Sequence, residues 1–153
     1  MTWQQGQATV ERLITDRELE RVAPNPAAAA SILVACEAHV AAARLIREAD
    51  QVGAVTLAYD AARKALVALL LAQGLRHTRR GGHIAVTEAV TAQLDPPVRT
   101  GRRVDRIRRL RNANEYPDAE TPAASRDDAA DAIDVAVEAL DTARRVLPHL
   151  SPF

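Results

Sequence analysis

The sequence predicts an all-α domain, an antiparallel bundle of about five to six helices, and three observations carry that prediction. Apolar residues recur at spacings of three and four in one segment after another, the period of a helix that buries one face. Proline, glycine and capping residues punctuate the chain between those segments. No stretch shows the alternation of period two that a half-buried strand requires.

Residues 4–21 place Val10, Leu13, Ile14 and Arg17 at helical spacing, an amphipathic surface helix that Pro24-Asn25-Pro26 stops. Asn25 is a good N-cap with Pro26 in the first turn, so a second helix follows through Ile32, Leu33, Cys36, Val40 and Ala43 to about Ala49. After a break at 50–53, Val55, Tyr59, Ala62, Leu66, Leu69 and Leu70 mark a core-facing stripe that ends at Gly74. Gly74 suits a left-handed C-terminal position because it has no Cβ. A basic, glycine-punctuated loop over 76–82 leads to a short helix over 83–94, ended by Pro96-Pro97. The next helix carries Val104, Ile107 and Leu110 among many arginines, and Pro117 and Pro122 bracket the loop after it. Ser125 followed by Asp127 and Asp128 caps a last helix through Ile133, Val137, Leu140 and Val146. Nothing divides residues 1–153 into more than one domain.

Composition narrows the function classes. With 48% hydrophobic and 26% charged residues the chain falls among ordered globular domains, not disordered ones. Cys36 has no second cysteine to pair with; it reads as a small buried hydrophobe and fits a reducing cytoplasm. Residues 1–7 lack a basic region followed by an apolar run, and the longest uninterrupted apolar run, 65–72, is too short for a membrane span. The expectation is a cytoplasmic protein with no membrane association. Zero net charge hides an uneven distribution: ten arginines lie between 76 and 111, and nine acids between 115 and 141 face only Arg126. Such a chain either neutralises itself between helices or subunits, or offers a basic strip to nucleic acid.

The densest candidate site is the run from Arg106 to Pro117, which includes Arg108, Arg109, Arg111, Asn112, Asn114, Glu115 and Tyr116. On a helix Arg111 lies four residues after Ile107 and seven after Val104, so it belongs to the apolar face. A guanidinium there needs a carboxylate, carbonyls, a subunit partner or a phosphate. Asn114 and Glu115 share its side of the helix end.

Three pieces of the sequence together resemble the HEPN superfamily, small helical-bundle domains of bacterial toxin and defence systems, fused to or paired with nucleotidyltransferases. They are Ala58-Tyr-Asp-Ala-Ala-Arg-Lys-Ala-Leu66 with the Leu69 to Gly74 segment, Gly82-His83 at the start of the next helix, and Arg111-Asn112 before the turn. The resemblance covers most of residues 27–145, within a core of about 27–147. It implies a homodimer, a ligand such as RNA or a nucleotide, a protein partner such as a nucleotidyltransferase antitoxin, and no cofactor. Active members resemble metal-independent ribonucleases with an Arg, an adjacent polar residue and a His about five positions after the Arg. Carried over, these are Arg111, Asn112 and, at the His position, Tyr116, with Glu115 one residue earlier and no His in 84–148. A His near neutrality accepts or donates a proton readily, whereas Tyr is mainly a donor and Glu a base. The expected function is therefore a binding module without catalysis. A ribonuclease using Arg111, Asn112, Glu115 and Tyr116 is the first alternative, and a purely structural interaction protein the second.

Other residues add weaker signals. His77 and His83, with Arg76, Arg79 and Arg80, could contact phosphate, though a capping or buried hydrogen-bonding role suits His83 better. Their spacing, like that of Cys36 and His39, matches no zinc signature, so no metal is expected. Asp60, Arg63 and Lys64 near Tyr59 read as salt bridges before substrate contacts. The arginines of 99–111 surround their helix without an ordered base-reading face, which favours phosphate contacts by Arg106, Arg108, Arg109, Arg111, Asn114, Arg79, Arg80 and His83 over helix-turn-helix readout.

Overall fold

The computed structural model describes residues 4–116, 118, 120 and 122–153. The chain runs α1 (Gln7–Thr15), β1 (Leu19–Arg21), α2 (Pro26–Ile46), α3 (Gln51–Gln73), β2 (Leu75–His77), α4 (Gly82–Leu94), α5 (Thr100–Glu115) and α6 (Arg126–Val146), closing with a 3-10 turn at Leu147–His149. Pro117, one end of the expected loop, lies outside the described residues, as do residues 1–3 of the segment read for an export signal.

Local chemistry sets most boundaries. Asn25 Oδ1 accepts the Ala28 N–H at 2.9 Å with Pro26 in the first turn of α2. Asp50 Oδ1 accepts the Gly53 N–H at 2.7 Å, so Gly53 sits in the first turn of α3 and the break is shorter than expected. Ser125 and Asp128 form a reciprocal capping box at the start of α6. Gly74 ends α3 at φ 80°, and its N–H reaches back to the last turn.

α3 is the axis of the bundle. It packs on α2, α4, α5 and α6, and Ala54, Ala58, Ala61, Ala62, Ala65 and Ala68 are all buried, which lets those neighbours approach closely. The Asn25 N–H donates to Leu71 O, so the start of α2 meets the end of α3 and the two run antiparallel. α5 and α6 are also antiparallel: Thr100, at the start of α5, bonds Glu138 and Thr142 near the end of α6. α4 instead runs the same way as α3, with His83 beside Tyr59 at one end and Gln93 bonded to Gln73 at the other. Gly101 lets α5 lie against α4, since a Cβ there would collide with the Thr91 side chain.

Two expectations need correcting. The first helix ends at Thr15; Arg17 takes a left-handed turn at φ 61°, and the chain then pairs as β1 with β2, Leu19 opposite His77 and Arg21 opposite Leu75. Three-residue strands are too short to show a period, and their pairing depends on residues far apart in sequence. Leu19 and Leu75 are buried, while Glu20 and Arg76 pair across the ribbon at 2.7 Å. The second correction concerns α2, which is by length and composition long and apolar enough to cross a membrane. Its alanines are interspersed with polar residues, so counting unbroken apolar runs missed it. One face of α2 packs on α3 and α6.

Gly74 provides a direct test of this packing. A Cβ there would stand 2.7 Å from Val22 O as well as adopting the left-handed conformation. Gly74→Ala is expected to lower stability by about 1–2 kcal/mol or more in urea denaturation; an unchanged midpoint would contradict the close approach of the ribbon to α3.

Candidate phosphate site

Because α3 is buried on most sides, its few polar residues form a ledge at one level. Tyr59 is buried, and Asp60, Arg63 and Lys64 are half-buried. Arg63 and Lys64 donate to the two Asp60 carboxylate oxygens at 2.6 and 2.7 Å. From α2, His39 Nδ1 lies 3.1 Å from Asp60 Oδ2, within ion-pair range but without hydrogen-bond alignment. Burial pushes the Asp60 carboxyl upward, but the hydrogen bonds from Lys64 and Arg63 outweigh it and leave the group below its ordinary value.

Two histidines reach this ledge from the far side. The ribbon fixes His77 and the first turn of α4 fixes His83, whose rings meet edge to face with centroids 6.3 Å apart. His83 Nδ1 is 3.2 Å from the Tyr59 hydroxyl. α5 closes the site: the Arg111 guanidinium lies over the Tyr59 ring at 5.8 Å, a cation–π contact, and its NH2 is 2.7 Å from Glu115. One turn earlier Arg108 Nε donates to Asp105 at 2.9 Å.

The electrostatics follow from burial. Side chains of Arg63, Arg108 and Arg111 are only 17, 21 and 29% exposed, so water screens their charges weakly. Burial, then Arg63 and Arg76, pushes the His77 imidazole below its ordinary value; burial, then Arg63, His77 and Arg111, does the same for His83. Burial raises the Tyr59 phenol against the opposing pull of Arg63, Arg108 and Arg111. At neutral pH the site thus combines Lys64 and three arginines, paired with the carboxylates of Asp60, Asp105 and Glu115, with two neutral imidazoles and a protonated phenol. Among the described residues Arg111 Nε and His77 Nδ1 are buried without a hydrogen-bond partner, which is costly unless something satisfies them.

The structure brings Arg111, Arg108, His83 and Glu115 together and sets the other predicted residues apart. Arg106 turns to Asp131 of α6, and the well-exposed Arg109 pairs with Asp105. Asn112 and Tyr116 are exposed, and Arg79 and Arg80 lie on the exposed turn before α4. Asn114 Oδ1 accepts the Ala124 N–H at 3.0 Å and so ties down the loop before α6. Tyr59, Arg63 and His77 join the site in their place. The available signal was a run of polar residues, Tyr59, Asp60, Arg63 and Lys64, on an otherwise apolar helix. Cys36 is buried and its thiol is pushed up to about 11 by burial, in keeping with a packing role. Among the described residues no group of three or more His, Cys, Asp or Glu is placed to hold a metal.

The depressed histidines make stability depend on pH. Between their folded values and the unfolded value near 6.5 the unfolded chain binds more protons. Their contribution is therefore retained above about pH 6.5 and lost as pH falls through that window. His77→Asn/His83→Asn is expected to melt with a smaller drop in Tm than the parent between pH 7.5 and 5.5; an identical drop would contradict imidazoles held below their ordinary value at these two positions.

No curated protein and no solved structure matches the chain. The HEPN domain family model matches residues 31–146, a span that runs from α2 through α6 and contains every residue of the ledge, both histidines and the α5 arginines. The chain belongs to the HEPN domain family.

Proposed function

We propose that this chain is a HEPN module that binds RNA or a nucleotide by its phosphate, with Arg111 as the central ligand-binding residue. The observation that carries this reading is the convergence of Arg63, Arg108 and Arg111 with two neutral histidines around Tyr59, where Arg111 Nε and His77 Nδ1 are buried without a hydrogen-bond partner among the described residues. A phosphate oxygen accepts from several donors at once, and a guanidinium fork matches its geometry. Among the described residues the α6 acids Asp131 and Glu138 hold Arg103 and Arg106, while Arg108 and Arg111 pair with Asp105 and Glu115 of α5. A wholly structural role for the arginine run is correspondingly less well supported. The reading includes a cytoplasmic homodimer and a protein partner such as a nucleotidyltransferase antitoxin of a toxin–antitoxin system, both on family grounds.

A second reading, a metal-independent ribonuclease, is favoured by one observation. The His missing after Arg111 has a counterpart in His83, which reaches the site from α4 and meets the Tyr59 hydroxyl. A neutral imidazole there could take the proton of an RNA 2′-hydroxyl as its oxygen attacks phosphorus. The bond to the 5′ oxygen breaks, that oxygen takes a proton from Tyr59, and a 2′,3′-cyclic phosphate remains. Detection of that product, and its loss in His83→Asn, would establish this activity; intact RNA after prolonged incubation with the parent would exclude it.

Arg111 variants test the binding reading. Arg111→Ala is expected to weaken RNA or nucleotide binding by about 1–3 kcal/mol. Because Glu115 is 44% exposed, Tm should change little, as water can take over an exposed partner. Arg111→Lys keeps the charge and loses the fork, so it should fall between the two. Undiminished affinity in a destabilised Arg111→Ala protein would show that Arg111 is a clamp for Glu115 instead.

A further inference from the structure

We propose that the ligand is a single-stranded polynucleotide whose chain leaves the Arg111 site and runs along the outer face of α5, held by Arg109, Arg106, Arg102 and Arg99. The proposal rests on the phosphate-binding reading above and extends it from one phosphate to a strand.

Two concavities of about 730 Å³ each lie along that face. The first, between α4 and α5, is walled by Ile84, Asp105 and Arg109; the second, at the α4–α5 turn, by Pro96, Pro97 and Arg99. Arg102 and Arg106 line both, so the two concavities adjoin along α5 and together make the groove. The four arginines follow one another at intervals of three, four and three residues, which places them on a single helix face. At 1.5 Å per residue they extend over about 15 Å, room for a strand rather than a lone phosphate.

The groove adjoins the phosphate site at two points. Successive residues of α4 divide between them, His83 at the Tyr59 hydroxyl and Ile84 in the groove. On α5 the Asp105 carboxylate gives one oxygen to Arg108 on the site and the other to Arg109 on the groove, both at 2.9 Å. A chain with one phosphate at Arg111 therefore has a cationic path out between these residues.

The groove arginines differ from those of the site. Side chains of Arg102, Arg106 and Arg109 are 75, 63 and 75% exposed, and their carboxylate partners are Asp95, Asp131 and Asp105. The Arg106–Asp131 pair is exposed on both sides, Asp131 to 43%, so a phosphate can displace that carboxylate at little cost. Asp95 and Asp105 are 7 and 26% exposed and stay with Arg102 and Arg109, whose remaining N–H groups can still donate to a phosphate. Arg99 is exposed and has no ion-pair partner among the described residues, so it remains available. Ile84 is 59% exposed and Pro96 and Pro97 are exposed, apolar surface on which unstacked bases can rest. Thr9, Thr87, Glu88 and Thr91 also line the first concavity, with Glu88 held by Arg12, but the cations are the arginines of α5, so contacts to the backbone dominate and sequence preference is weak.

The test uses the full chain and three probes: a labelled oligouridylate of about twelve nucleotides, within the usual range for a single-strand site, uridine monophosphate, and polyglutamate. Arg99→Gln/Arg106→Gln keeps the stems and removes two charges whose partners, where present, are exposed. The oligonucleotide should bind at least tenfold more tightly than the monophosphate. In the double variant its affinity should fall about tenfold and the slope of log K against log salt should shrink by about 1.4, two single-strand phosphate contacts, while the monophosphate binds as before. An oligonucleotide affinity and salt slope unchanged in that variant overturn the proposal and leave the Arg111 site standing. Polyglutamate that binds as tightly as the oligonucleotide and weakens equally overturns it in favour of an acidic protein. Arg111→Ala separates the two claims: if it affects neither nucleotide probe, the phosphate site fails, and with it the path from site to groove.

Discussion

The burial of α3 is the constraint on which the rest depends. A helix of 23 residues surrounded by four others has almost no surface of its own. Its alanines answer the steric demand, and its polar residues have to find partners inside the bundle. Asp60 does so by gathering Arg63, Lys64 and His39; Tyr59 does so by meeting His83 with its hydroxyl and Arg111 with its ring. The site is thus the place where the central helix could not be made wholly apolar.

The ribbon and the direction of α4 complete it. Had the chain turned directly from α3 into an antiparallel α4, the start of α4 would lie beside Gln73 and His83 would be far from Tyr59. Instead β2 turns back along β1, anchored by Leu19, Leu75 and the Glu20–Arg76 pair, and returns the chain to the Tyr59 level before α4 begins. The same detour delivers His77. A two-stranded ribbon is negligible as a share of the fold, yet it sets the composition of the site.

The fold was largely legible because helix ends are written locally. Asn25, Gly74 and Ser125 each act as their residue type and neighbours imply, and the matched family span of 31–146 falls within the core read from the sequence. The half-buried place of Arg111 and its contact with Glu115 followed from helical spacing. The remainder of the site was hidden for two reasons. Tyr59 sits on the apolar stripe and is indeed buried, so nothing in the pattern distinguished its hydroxyl from a core aromatic. His83 and His77 reach Tyr59 through the ribbon, whose strands are too short for any periodicity and pair across the whole of α2 and α3. The ten arginines likewise read as one basic segment, whereas helix geometry divides them between a half-buried site, an exposed groove and pairs with α6.

The central claim is that the half-buried arginines and the two imidazoles act together on a phosphate. NMR titration of the His77 and His83 side chains, with and without uridine monophosphate, measures it at the atoms concerned. In the free protein both should titrate below about 6.5, because burial and neighbouring arginines oppose their protonation. A bound phosphate offsets that positive field and should raise both values. Histidines whose titration is unmoved by saturating ligand would contradict the account.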